Sequence, residues 1–369
     1  MRVLGILLLL GASLSAQERA GWVTKIGTDT IALETYERTA TGLRGELVTR
    51  SPIAVHRIYT VTYGSGGPAY ELVTHNIGNA PNMPAEATLA GPASDRLPYL
   101  FPAMGLIEDA VRAARARHTD STTITGVQMT NGNPVNLTVR LFGRDSVHLY
   151  LGPIVGPFIG KLDATDRITQ LSGRFTTEKY EWVRVPNLDL ATLGPKFASR
   201  AVAILSPRET TTVAFGGAGI AITYGSPSVR GRAVFGGLVP WGQVWRAGAN
   251  AATTFTTTAA VSIAGHAIPA GAYTLFLLPT PTAWTLVINR QTLAPCEATC
   301  PAQRAPLWGT DYSADSDFLR VPMLVQQSPA LIEHFGITAT PQSGLTGDGA
   351  LLTFAWEHTK ASVELRKPK

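Results

Sequence analysis

Cysteine is almost absent: Cys296 and Cys300 are the only two in 369 residues. A disulfide-dense scaffold or a multi-thiolate metal cluster is therefore excluded. Charge is also sparse, with Asp, Glu, Lys and Arg together at 15%. The net charge is +5, but the basic residues are scattered and arginine outnumbers lysine more than threefold. No basic stripe interleaves with aromatic residues, which argues against a nucleic-acid surface. Apolar runs long enough to cross a bilayer as a helix are missing. The nearest approach, VHLYLGPIVGPFIGKL at 147–162, is broken by prolines and glycines and carries His148. Walker loops, HExxH and G-x-S-x-G are missing too, and with them the signatures of three large enzyme classes.

What is present begins with MRVLGILLLLGASLSAQ. One arginine, an apolar run from Val3 to Leu10 and a small-residue segment ending at Ser15-Ala16 have the order of a secretory signal peptide. Residues 1–16 are read as that signal, so the chain is expected to be exported, to the periplasm or beyond. In an oxidising space the two cysteines of APCEATCPA, flanked by Pro295 and Pro301, are expected to form a small loop-closing disulfide. A metal site is the alternative, but two thiolates without a nearby histidine make an incomplete ligand set.

The remainder reads as all-β in two domains, 17–200 and 201–369. Strand candidates of the first are 30–38, 56–63, 69–75, 122–130, 135–142, 146–151, a hairpin across 161–173, and 176–185. Long antiparallel strands with short turns predict a curved antiparallel sheet or partial barrel. One segment departs from this: LIEDAVRAARARH (106–118) places Ile107, Ala110, Val111 and Ala114 on one face, the spacing of an amphipathic helix. Its arginines are read as a solvated face. VPNLDLATLGPKFASRAVAILSPRET (185–210) has no clear period and serves as the boundary. Beyond it, short strands separated by Gly and Pro turns at 211–225, 251–257, 259–279, 283–290 and 351–359 predict a β-sandwich. Gly265-His266 marks a turn within them, and His266 is expected to be solvated.

From residue 206 onward the blocks SPRET, ITYGSPSVRGRAVFGGLVPWGQVWRAGANAATTF, IPAGAYTLFLLP, WTLVINRQ, WGTDY and FAWEHTKASVEL follow in order. In this order they resemble the bacterial domain-of-unknown-function family 2911 over about residues 205–366. The resemblance implies an exported bacterial protein with an all-β domain and implies no particular activity. The family pattern carries a glutamate after the asparagine, in GANEAT; here the block is GANAAT and Ala251 stands in that place. Any acid–base role of that carboxylate is thereby lost.

The densest chemistry lies in VPWGQVWRAGANAATTF (239–255). Trp241 and Trp245 offer aromatic platforms, Arg246 a fork for a carboxylate or phosphate, and Asn250 both donors and acceptors. Thr253 adds a hydroxyl. These five residues are the candidate site for a small polar or carbohydrate-like ligand, and Trp284 and Trp308 are candidates for the same cluster. The same residues suit a buried corner that satisfies its own loop carbonyls. Two other readings stay open: a cell-envelope hydrolase using Arg246 with Asp311 or with Glu357 and His358, and a structural module without a small ligand. His334 and His358 each follow a glutamate, but strand neighbours face opposite ways, so neither pair is a dyad by sequence alone. Asp311, Asp315 and Asp317 form an acidic loop without the spacing of a known calcium loop. The motifs ask for no cofactor and no metal.

Overall fold

The computed structural model describes residues 17–80, 82–200, 202, 204–294, 306–342 and 349–368. The proposed signal segment and Cys296 and Cys300 lie outside the described residues. Two compact units divide at 203/204. Among the described residues no helix is long and apolar enough to cross a membrane.

Unit 1 carries β1 (Glu18–Ile26), β2 (Asp29–Arg38), β3 (Gly42–Thr49), β4 (Val55–Gly64), β5 (Gly67–Asn76), β6 (Glu86–Pro92) and β7 (Leu97–Tyr99). Helix α1 (Met104–Ala116) follows, then β8 (Ser121–Gln128), β9 (Pro134–Phe142), β10 (Ser146–Leu151), β11 (Phe158–Leu162), β12 (Ile168–Ser172), β13 (Glu181–Val185) and helix α2 (Leu190–Ala198). The thirteen strands form one sheet in the order β6-β5-β4-β3-β2-β1-β13-β12-β11-β10-β9-β8-β7. Two hairpin meanders thus meet at the antiparallel β1–β13 pair, and the connection between them carries α1. The sheet is not closed into a barrel. It curls around α1, because alternate residues such as Trp22, Leu47, Tyr59, Leu72, Val147 and Leu149 share one buried cluster with Leu106, Ile107, Ala110 and Val111 of the helix.

Of the arginines read as a solvated face, Arg117 is exposed, but Arg112 and Arg115 are half-buried and ion-paired. Arg112 binds Glu18 at 2.7 Å and Arg115 binds Asp166 at 2.8 Å, so the sheet supplies a carboxylate to each. The region without period contains α2, whose Leu190 packs on Leu33 and Val48 on the outer side of the sheet. Asp189 caps this short helix by accepting from Thr192 N at 3.0 Å.

Unit 2 carries β14 (Arg208–Phe215), β15 (Ala218–Gly225), β16 (Thr253–Thr257), β17 (Val261–Ile263), β18 (His266–Ile268), β19 (Gly271–Pro279), β20 (Trp284–Asn289), β21 (Asp317–Pro341) and β22 (Gly349–Arg366). Their order is β14-β15-β16-β19-β20-β21-β22-β17-β18. The architecture is sandwich-like because β21 serves both leaves. Its first part pairs with β20 and the rest with β22, and register shifts near Gln327, Ile332 and Gly336 mark where the regular ladder breaks. The other edge folds back onto the same strand: Thr211 Oγ1 and Ser226 Oγ donate to the carbonyls of Ile337 and Phe335. At the β17–β18 turn, Ala264 and Gly265 have φ of 50° and 85°, the two positive values a tight primed turn requires. His266 is exposed beside it.

Candidate functional site

The loop 239–255 runs from the end of β15's neighbourhood to the start of β16, and antiparallel strand geometry divides its side chains. Trp245 exchanges backbone hydrogen bonds with Leu277 of β19 at 2.7 and 2.8 Å. This bridge turns the Trp245 ring inward. There it stacks on Trp356 (5.7 Å between centroids, planes 16° apart) and meets Phe335 edge-on at 5.1 Å. Trp284 enters the same cluster through Phe235, 4.6 Å away. Phe235 is the hub, touching Trp241, Trp245, Trp284 and Trp356.

Trp241 sits on the outside of this assembly. Its indole stacks on Phe235 at 5.9 Å with planes 28° apart, yet remains 40% exposed. Pro240, Gly242 and Gln243 around it are also exposed. The shelf is anchored from two sides. Gly242 N donates to Pro279 O at 2.8 Å. Gly236 has φ +85°, and a Cβ there would stand 2.5 Å from Trp241 Nε1. Only a glycine lets the ring lie where it does.

Arg246 points the other way. Its side chain lies against Gly309, whose added Cβ would meet Arg246 Cδ, and its Nε donates to Gly248 O at 3.3 Å. Asn250 has φ +64° and an exposed side chain, while its carbonyl accepts from Gly309 N at 3.0 Å. Thr253 is fully buried and donates to Ala247 O at 2.7 Å. Trp308 is 43% exposed and pairs by backbone with Ala251. Among the described residues it makes no ring contact with the cluster around Phe235. The five sequence candidates therefore fall into an aromatic pair, Trp241 and Trp245, and a polar corner, Arg246, Asn250 and Thr253.

Glu357 and His358, weighed for hydrolysis, have their own partners. Glu357 Oε1 accepts from Val234 N at 3.0 Å, and His358 Nδ1 lies 3.1 Å from Ser328 O. Glu333 accepts from Arg230 N while His334 meets Ser228 Oγ, so each Glu–His neighbour pair diverges as strand alternation requires. Asp317 accepts from Tyr312, Arg320 and Asn289.

A second constellation, in unit 1, is one the sequence reading missed. The N-terminus of α1 has no cap from its own Ala103. Glu34 of β2 takes that place, accepting from Met104 N at 2.6 Å, from Gly105 N at 3.1 Å and from Tyr59 OH. Burial raises its carboxyl to about 7, against the lowering effect of those donors. Glu108 and Asp109, on the helix itself, are also buried. Glu108 accepts from Tyr36 and Arg184, and Asp109 from Arg38 and Tyr63. The only advance signal was the pair of acids inside an otherwise apolar helix face.

The fold and this geometry define an all-β protein of two units, the second ending in an aromatic cluster with one exposed indole. Residues 206–365 match the model of the family described as Protein of unknown function (DUF2911). That match spans nearly all of unit 2, consistent with a domain of that family, and the residues before it match no family. No curated protein matches the chain.

Proposed function

We propose that this is an exported, non-enzymatic binding protein whose unit 2 holds a small polar, carbohydrate-like ligand on the Trp241 shelf. The observation that carries this reading is the exposed indole held flat on a rigid aromatic base. A sugar ring has one apolar C–H face and a polar rim, which an indole bordered by Gln243 matches. The base is fixed before the ligand arrives, so little side-chain ordering is lost on binding. Arg246 and Thr253 act in this account as supports of the corner.

The test is a thermal-shift and calorimetric screen of the whole chain against cellobiose, N,N′-diacetylchitobiose and cell-wall muropeptides. The expected result is a stabilising disaccharide whose effect disappears in Trp241→Ala and persists in Arg246→Ala. Retention of binding in Trp241→Ala refutes the shelf. Loss in Arg246→Ala with the fold intact moves the site to the polar corner.

A further inference from the structure

Unit 1 has an open pocket of about 390 Å³ between the segment leading into α1, strands β2–β4 and the end of β10. Its walls are largely apolar, including Tyr99, Phe101, Leu151 and Ile154. Into this lining comes Arg57 of β4, an inward position set by the alternation that also buries Val55 and Tyr59. Its neighbours across the ladder are Leu47 and Thr74, both buried. Arg57 makes no ion pair or hydrogen bond among the described residues; its Nε is shielded from solvent, while the side chain as a whole is half-buried. Desolvation lowers the Arg57 pKa, and no neighbouring charge opposes that shift.

Every other inward-facing arginine of this sheet is matched: Arg38 by Asp109 and Glu18, and Arg184 by Glu108. The wider outer cleft of about 800 Å³ is matched too, since its rim arginines Arg19 and Arg44 face Glu37 and Glu46. Arg57 is the exception. A guanidinium stays charged at any working pH, so one partly desolvated in a largely apolar wall without a paired counter-ion is stabilised when an anion joins it.

We infer that this pocket is a binding site for a small amphipathic monoanion, a carboxylate whose head pairs with Arg57 and whose apolar body lies on Tyr99, Phe101 and Ile154. The fork of a guanidinium suits two carboxylate oxygens, and Gln128 in the lining offers a neutral second donor. A single negative charge is specified because the lining contains one cation and also Glu178, engaged by the Tyr180 hydroxyl. A dianionic phosphate would meet that carboxylate. The volume is that of a pocket for a drug-sized molecule. This site is independent of the Trp241 shelf, and either can fail without the other.

The experiment is isothermal titration of the whole chain with octanoate, octan-1-ol and octyl phosphate, repeated on Arg57→Met and Ile154→Trp. The expected order is octanoate first, with octanol about tenfold to a hundredfold weaker for want of the charge-assisted bonds and octyl phosphate also weaker. Arg57→Met should lose octanoate binding by a similar factor and melt above wild type, because an unpaired, partly desolvated charge is gone. Ile154→Trp should block binding with Arg57 in place. Octanol binding as tightly as octanoate overturns the proposal, as does undiminished octanoate binding in Arg57→Met. No octanoate binding at low millimolar concentration also overturns it. A lower melting temperature for Arg57→Met than for wild type counts against it, and the comparison of octanoate with octanol on wild type decides the matter without any variant.

Discussion

Trp245 and Trp356, 111 positions apart in sequence, lie face to face with centroids 5.7 Å apart and planes 16° from parallel. That stack makes Trp245 a support. Trp241, on the far side of Phe235, is the ring of this cluster left exposed. The two tryptophans of one short motif thus have separable roles. Trp245→Ala should lower unfolding free energy by about 3 kcal/mol, the usual range for truncating a packed aromatic. Trp241→Ala should cost less than about 1 kcal/mol, as for a largely exposed side chain. Urea unfolding followed by circular dichroism separates them, and equal costs would contradict the division.

Gly236 sets the position of the shelf. Its φ of +85° and the 2.5 Å approach of Trp241 Nε1 to an added Cβ mean that Gly236→Ala must move the indole. The expected stability loss is about 1 kcal/mol or more, accompanied by the same loss of disaccharide binding as Trp241→Ala. Unchanged binding in a folded Gly236→Ala protein would show that the placement of the ring is unimportant.

Thr253 holds the corner from inside. Thr253→Val removes the donor to Ala247 O and leaves that buried carbonyl unsatisfied, at a cost of about 1–3 kcal/mol. Disaccharide affinity should not change. A loss of affinity with little loss of stability would place the hydroxyl in the ligand site instead.

Glu34 gives unit 1 a pH dependence of definite sign. Its carboxyl is raised to about 7 in the folded chain from an ordinary 4.5, so the folded state keeps its proton where the unfolded state has lost it. Stability is therefore highest below about 4.5 as far as this group is concerned. It falls as pH rises toward 7, by on the order of 3 kcal/mol, and is then flat. Burial acts on Glu108 in the same direction. Melting curves between pH 5 and 8 should show unit 1 losing stability with rising pH (pH values spanning the range about Glu34's shifted carboxyl), and Glu34→Gln should flatten the slope. A slope unchanged by Glu34→Gln would exclude Glu34 as its source.

Much of the architecture was readable because half-buried strands alternate. HRIYTVTY became β4, with Tyr59 and Val61 inward and Thr60 and Thr62 outward. The helix at 106–118 was readable from its apolar spacing and appears as α1. By contrast, β21 hid because its register shifts and its Pro322 and Pro329 interrupt any period of two over 25 residues. Helix α2 hid because Pro195 lies inside it and little of it is buried. The motif at 239–255 advertised its residue types, but their division into two groups depends on Phe235, Phe335, Trp356 and Gly309, supplied from elsewhere in the chain. Glu34 and Arg57 gave no signal at all. A lone polar residue at an inward strand position looks like any surface residue until the fold shows what stands opposite.

The most direct test is the indole region of a ¹H–¹⁵N correlation spectrum of the whole chain, which has seven tryptophans. Trp241→Phe identifies its own cross-peak, and cellobiose or N,N′-diacetylchitobiose is then titrated in. The account predicts a saturable shift of the Trp241 indole, with the buried indoles of Trp284 and Trp356 moving little. A Trp241 cross-peak that stays fixed with every saccharide tested, or shifts confined to Trp308, would contradict it.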